Sequence, residues 1–402
     1  MLFKSNHAIE ALMKFGNKVR TFHYLFPFLA SLITSTILAR SLGPSDRGVY
    51  ASLANILLIL AIFFGAGMDT AITTSLSAKI YLGQIIYLFK KKNLFFIFIP
   101  YVFTLFILIL FYLKYLTLIW ILFIPALIPI LILYNLIAGW ARNQGLLDVF
   151  GYLQSMPAIF RIIFIVFIIE FTSINIGFAV FFMTLANFPY LLYLLARNSR
   201  EISVNSLTDN LTLRMGLRAL PTTFLSVLVY RLDQIMGLSI IGSWQLGIYA
   251  TAVTIAEIPL IVSRSFRDVL YSKNELDFSK LRKIGFLKSL VVVIIGLALV
   301  PFLYVPIFGI SYQHGIIVTE CMLLVVIVQI LYEYSSIQNL RRQSYAPITT
   351  SQVIYLILTF SVVTIFRNEG ALSMVFANFI GYSGALLYIQ FHQIKYAKGK
   401  HL

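Results

Sequence analysis

Long apolar runs separated by short polar breaks organise this 402-residue chain. Twelve of them approach the roughly 20 residues that carry a helix across a bilayer. The first six fall near 20–41, 48–73, 94–113, 116–139, 151–170 and 177–196. The other six fall near 217–240, 247–270, 286–309, 315–338, 347–366 and 370–391. The longest break, about 197–216, is polar (RNSREISVNSLTDNLTLR) and sits mid-chain. The pattern predicts an all-α polytopic membrane protein of twelve transmembrane helices. It divides the chain into an N-terminal six-helix lobe (1–196), a cytoplasmic linker (197–216) and a C-terminal six-helix lobe (217–402). The opening stretch MLFKSNHAIEALMKFGNKVR has no compact apolar core ending in a small-residue cleavage site. It is therefore expected to stay on the chain and not to be removed as a signal peptide.

Two of the breaks repeat each other. ARSLGPSDRGVY (39–50) and SIIGSWQLGIY (239–249) align at an offset of 199 residues, Gly43 on Gly242. In that register Gly48 meets Gly247, Tyr50 meets Tyr249, Ala51 meets Ala250, Ile56 meets Ile255 and Asp69 meets Asp268. Each turn joins the first and second spans of its own half. An even number of spans per half makes the repeats parallel, related by an axis along the membrane normal. Two such lobes facing each other across a central cavity suit alternating access, in which one rocks against the other. A duplicated bundle serving as a channel or an enzyme scaffold is the other reading of the same architecture.

Composition supports the membrane reading. Hydrophobic residues make up 60% of the chain and charged ones 11%, with a mean hydropathy of +0.90. Soluble proteins carry about 25% charged residues. The net charge of +16 invites a nucleic-acid reading, since basic proteins bind phosphate backbones. The distribution of charge excludes it: 25 of the 31 Lys and Arg fall in the termini and alternate breaks, against four (Arg40, Arg47, Lys114, Arg367) on the opposite side. Arg161 and Arg231 are left within the membrane. By the positive-inside rule both termini are cytoplasmic and the Gly43 and Gly242 turns external. One Cys, Cys321, and five scattered His offer no disulfide framework and no metal-ligand spacing, so neither metal nor cofactor is expected. The external breaks are a few residues long, with nothing for acid–base chemistry, which argues against an enzyme.

Charges inside a bilayer are costly and usually face a protein interior or a wet cavity. Arg161, Arg231 and Glu257 fall about ten residues from a span end, near mid-membrane, by a rise of about 1.5 Å per residue. Asp233 lies slightly further out, and Asp69, Arg264, Arg267 and Asp268 lie toward the cytoplasmic ends. Helical spacing puts Thr254, Glu257, Arg264 and Asp268 in one arc, Asn55, Asp69 and Thr73 in another, and Gln154 with Arg161 on one face. Arg231 neighbours Gln234, while Asp233 points nearly the opposite way. Arg161, Arg231, Gln154 and Gln234 are the candidate substrate-binding residues, because planar guanidinium donors suit phosphate oxygens. Arg231 equally well pairs with Glu257 to hold two helices together. Glu257, Asp233, Asp69, Arg264 and Asp268 are candidates for coupling or gating, although for Asp69 and Asp268 an interfacial salt bridge is the favoured role. Pro27, Pro157, Pro221 and Pro259 fall inside spans, where they would kink the helices.

LARSLGPSDRGVYASLANIL, followed by GAGMDTAI, resembles the start of bacterial polysaccharide flippases of the Wzx type, and YRLDQIMGLSIIGSWQLGIYATAVTIAEIP resembles their seventh–eighth span region. These flippases belong to the superfamily that also holds multidrug-and-toxin extruders and lipid II flippases. The resemblance implies two six-helix lobes around a cavity whose arginines meet the pyrophosphate of an undecaprenyl-linked oligosaccharide. That cargo, an O-antigen or other polysaccharide repeat unit, would pass from the cytoplasmic to the external leaflet of the bacterial inner membrane. Membrane lipids are implied partners, and other polysaccharide-assembly membrane proteins are admitted; nucleic acid is not. A cation-coupled multidrug exporter of the same superfamily is the near alternative, kept open by Glu257, Asp69 and Asp233. A membrane polymerase or ligase is the distant one, and it would need a long external loop that the chain lacks.

Overall fold

A computed structural model gives the fold. It describes residues 4–74, 85, 89, 92, 94–143, 147–171, 175–198, 209–270, 275–341 and 345–399. Among these there is no strand. Eleven described segments are long and apolar enough to cross a membrane. One of them, Leu29–Phe64, runs 36 residues and is broken at Gly43, so it holds two helical legs. Helices dominate because hydrocarbon offers backbone groups no water, and only internal bonding satisfies them.

The elements are α1 (Lys4–Phe64, two legs), α2 (Met68–Thr74), α3 (Ile99–Tyr112), α4 (Leu118–Phe123), α5 (Ile128–Asn143) and α6 (Leu147–Phe171). There follow α7 (Ile176–Leu185), α8 (Phe188–Asn198), α9 (Asp209–Ile240), α10 (Gly242–Leu270), α11 (Glu275–Phe308), α12 (Gly315–Arg341), α13 (Tyr345–Ile365) and α14 (Ala371–Gly399). Since α9 starts at Asp209, the last part of the expected 197–216 linker is helical; residues 199–208 lie outside the described set.

The chain forms two compact units that cross the sequence halves. One comprises Met1–Thr34 and Leu60–Leu220; the other comprises Ser35–Ile59 and Pro221–Leu402. Most of the first hairpin, including the Gly43 turn, therefore packs with the second half of the chain.

In the first unit the α1 leg stops at Gly65–Ala66–Gly67, where Ala66 (φ 52°) and Gly67 (φ 64°) are left-handed. Such a conformation is uncommon for alanine, which carries a Cβ. The break lets two backbones approach: a Cβ on Gly67 would lie 2.6 Å from the Gly216 carbonyl oxygen, and one on Gly216 2.7 Å from the Ala66 oxygen. Gly139 of α5 allows the same closeness to the Asp69 backbone, 2.6 Å from its oxygen. Ile137, Ala138, Ala141, Leu153, Leu191 and Leu194 form a dry core joining α5, α6 and α8.

In the second unit the two turns paired by the repeat share one geometry. Gly43 has φ 70° and Gly242 φ 82°, a region that glycine enters without a Cβ penalty. Pro44 follows Gly43, where a helix start tolerates a residue with no N–H. The packing between the turns is reciprocal. A Cβ on Gly48 would overlap the Ser243 carbonyl oxygen, and one on Gly247 the Pro44 carbonyl oxygen. Residue i touching j while its repeat mate touches the mate of j is the signature of a local two-fold contact.

Candidate functional site

Each unit carries its own polar side chains on membrane-spanning helices. In the first unit, α6 presents Gln154 and Arg161 seven residues apart, hence on one face. Both are half-buried. An Arg161 Nη2 donates to Asn187 Oδ1 at a long 3.4 Å, and its Nε is buried with no partner among the described residues. Asn135 Nδ2, on α5, is likewise buried and unpartnered among them. Next to it, the Tyr134 hydroxyl donates to the Leu153 carbonyl at 2.8 Å and is satisfied. Asp69 stands in the first turn of α2 with Oδ1 buried and unpartnered, and it makes no ion pair among the described residues. Arg142 lies 4.7 Å over the Phe150 ring.

The second unit binds its charges in pairs. Arg231 Nη1 lies 3.2 Å from Glu257 Oε1, with 27% and 32% of the two side chains exposed. Arg231 is thus neutralised by Glu257 and still reachable, so the two readings of Arg231 do not exclude each other. Gln234 turns away from solvent, and its Oε1 accepts from Asn55 Nδ2 at 2.7 Å. Thr254, Glu257 and Arg264 are all half-buried along one face of α10. Arg264 pairs outside that face with Glu333 of α12 (3.4 Å) and stacks 5.1 Å over the Tyr230 ring. Tyr230 in turn donates to Glu333 at 3.0 Å. Asp268 is on α10, and its side chain lies outside the described set.

Asp233 is enclosed. It accepts from the Tyr249 hydroxyl, from Asn378 Nδ2 at 3.1 Å and from the Gln234 backbone N–H at 2.7 Å. Tyr355 donates to Asn378 Oδ1, so four helices contribute to one buried polar knot. Three donors converging on one carboxylate compensate its burial by the rule for buried polar groups.

Glu333, Asn378, Tyr249 and Tyr355 were missed as site residues by the sequence reading. Glu333 had a usable signal, being an acid inside an apolar run. The others are neutral residues whose importance lies in what they touch. No group of three or more His, Cys, Asp or Glu able to hold a metal occurs among the described residues.

No known protein family and no curated protein matches the chain in sequence. Solved structures do match. The lipid II flippase MurJ, in an inward closed conformation, superposes with a TM-score of 0.69 at 16% identity, covering 93% of this chain and 87% of that one. An inward-facing multidrug resistance MATE family transporter of the MOP superfamily gives 0.67 at 14% identity, covering 96% and 99%. An outward-facing MATE family transporter gives 0.63 at 13%, covering 93% and 96%. The chain has the fold that these solved transporters share. At such identities the likeness concerns the fold alone, and that fold serves both a lipid II flippase and multidrug resistance transporters.

Proposed function

We propose that this chain is a multi-pass flippase of the bacterial inner membrane, with both termini cytoplasmic. Its cargo is an oligosaccharide repeat unit on undecaprenyl pyrophosphate, carried to the external leaflet by alternating access. The observation that carries this reading is Arg161. It is a guanidinium inside an apolar helix with no ion-pair partner among the described residues, a free buried Nε, and Gln154 on the same face. A phosphate oxygen would complete it, since charge-assisted bonds from Arg are strong and can be bidentate. The shared fold with a lipid II flippase supports a lipid-linked cargo. Arg231, with Glu257 as a standing counter-charge, is the secondary contact. Glu257 and Asp233 are the proposed coupling carriers, and no part of the reading requires catalysis.

The second reading, a cation-coupled multidrug exporter, is favoured by the acids of the second unit. Glu257 is one-third exposed, and MATE transporters share the fold. Native mass spectrometry of the full chain separates the two readings. Parent, Arg161→Ala and Arg231→Ala would each be offered a polyprenyl-pyrophosphate oligosaccharide and a lipophilic organic cation. Selective binding of the pyrophosphate lipid, weakened mainly by Arg161→Ala, is the expected result. Selective binding of the cation, indifferent to both substitutions, would replace the flippase by the exporter.

A further inference from the structure

Arg47 poses a chemical problem that the transport reading leaves unused. It sits in the first turn after the Gly43 break, and only 7% of it reaches the surface. An Nη2 donates to Ser35 Oγ at 2.8 Å, the guanidinium lies 5.0 Å over the Tyr50 ring, and Nε is buried without a partner among the described residues. No carboxylate forms an ion pair with it among those residues, and its neighbour Asp46 is exposed. A buried charge with no counter-charge costs several kcal/mol even after relaxation. Where a structure keeps such a group, an explanation is owed, and an absent ion is one of the standard ones.

The fastenings around Arg47 have a common character: every acceptor is neutral. Arg40 Nε donates to the Ile307 carbonyl at 2.8 Å, and its Nη2 donates to that of Pro306, both in the last turn of α11. The Tyr312 hydroxyl donates to the Ala39 carbonyl at 3.0 Å. Ser35 Oγ and Thr254 Oγ1 share a hydrogen bond of 3.3 Å. The Gly48 and Gly247 backbones interlock between these bonds. Arg40 thus holds residues 35–59 against α11, Arg47 braces that segment from within through Ser35, and no acid takes part among the described residues. A phosphate oxygen outcompetes such acceptors, because a bond between two charged groups is roughly twice as strong as a neutral one.

We propose that Arg47, assisted by Arg40, is a second phosphate-binding station at the Gly43 and Gly242 end of the second unit. A pyrophosphate group arriving there takes Arg40 from the α11 carbonyls and Arg47 from Ser35, and so releases residues 35–59 from α11 and loosens the Ser35 contact with Thr254 of α10. The station rests on the proposed pyrophosphate-linked cargo and is distinct from Arg161, which belongs to the first unit. It converts arrival of the cargo into opening of the end by which the cargo leaves.

The test uses the full chain in nanodiscs, with Cys321→Ser as background and spin labels at Ser45→Cys and Trp244→Cys, both exposed sites flanking the two turns. Undecaprenyl pyrophosphate is titrated, with undecaprenol as the phosphate-free control; binding is read by native mass spectrometry and separation by electron–electron distance measurement. In the parent, the pyrophosphate lipid binds and lengthens the distance, and undecaprenol does neither. Arg47→Gln still binds the lipid through Arg161 but needs at least tenfold more of it to open, and Arg47→Lys recovers part of the response because the charge is kept. Opening of Arg47→Gln at the parent's lipid concentration would overturn the station while leaving the cargo reading intact. Absence of pyrophosphate-lipid binding to the parent would overturn the cargo reading, and the station with it.

Discussion

Replacing Glu333 removes the acid that gathers Arg264 and Tyr230 in the second unit, and the geometry sets the size of the effect. The Glu333 side chain is only 2% exposed, whereas Arg264 is 31% exposed. The Tyr230 hydroxyl bond at 3.0 Å goes to a charged acceptor, a class of bond worth about 1.5–3 kcal/mol. The Arg264 contact is long at 3.4 Å and partly wet, so screening holds it to about 1 kcal/mol or less. Glu333→Gln keeps an acceptor for Tyr230 and loses the charge, and is expected to cost about 1–2 kcal/mol. Glu333→Ala takes this acceptor from both Tyr230 and Arg264 at a buried position and is expected to cost about 3 kcal/mol, the low end for a broken buried pair. The assay is reversible unfolding in mixed detergent micelles, run as a double-mutant cycle with Arg264→Gln. The expected coupling is about 0.5–1 kcal/mol, above the scatter of independent sites. A strictly additive cycle together with a Glu333→Ala loss below about 1 kcal/mol would refute the claim that this carboxylate organises the cluster.

Other expectations follow from the same geometry. Arg161→Ala should weaken polyprenyl-pyrophosphate binding at least tenfold, about 1.4 kcal/mol, and more than Arg231→Ala does, because Arg231 already has Glu257 at 3.2 Å; titration by native mass spectrometry reads both. Gly216→Ala should destabilise the fold by about 1–3 kcal/mol through overpacking against the Ala66 oxygen, measured by the same unfolding assay. If Glu257 carries the coupling ion, Glu257→Gln should flatten the pH dependence of transport in proteoliposomes; an unchanged profile removes it from that role.

The helices and their breaks were legible in the sequence because a bilayer imposes length and apolarity on every span. The Gly43 and Gly242 pairing was legible as well, since left-handed turns leave glycine as their trace. The Arg231–Glu257 contact was open to reasoning because the two residues lie on consecutive helices at similar depth. What stayed hidden depends on packing across distant elements. Asn378 reaches Asp233 across 145 residues, and Tyr230 reaches Glu333 across 103. No periodicity along one helix encodes which neighbour its face will meet. Arg47 shows the same limit: counted with an external break, it is buried because the turn takes one glycine and the helix resumes at once.

The interlocked turns also bear on how this chain can change over generations. At Gly48 and Gly247 the obstacle to any side chain is a backbone carbonyl of the opposite turn. No substitution elsewhere can trim a carbonyl, so neither glycine has a compensating mutation, and the two turns cannot drift independently at these positions. Gly43 and Gly242 are constrained only by φ, since a Cβ added at either would meet nothing within 4 Å. At Gly43 the pair φ 70°, ψ 174° is a region essentially reserved to glycine, so the obstacle there is the backbone conformation and not a neighbour. A saturation library selected for function should therefore hold only glycine at positions 43, 48 and 247, for conformation at 43 and for space at 48 and 247, so that the paired turns carry two kinds of glycine under two different selective regimes.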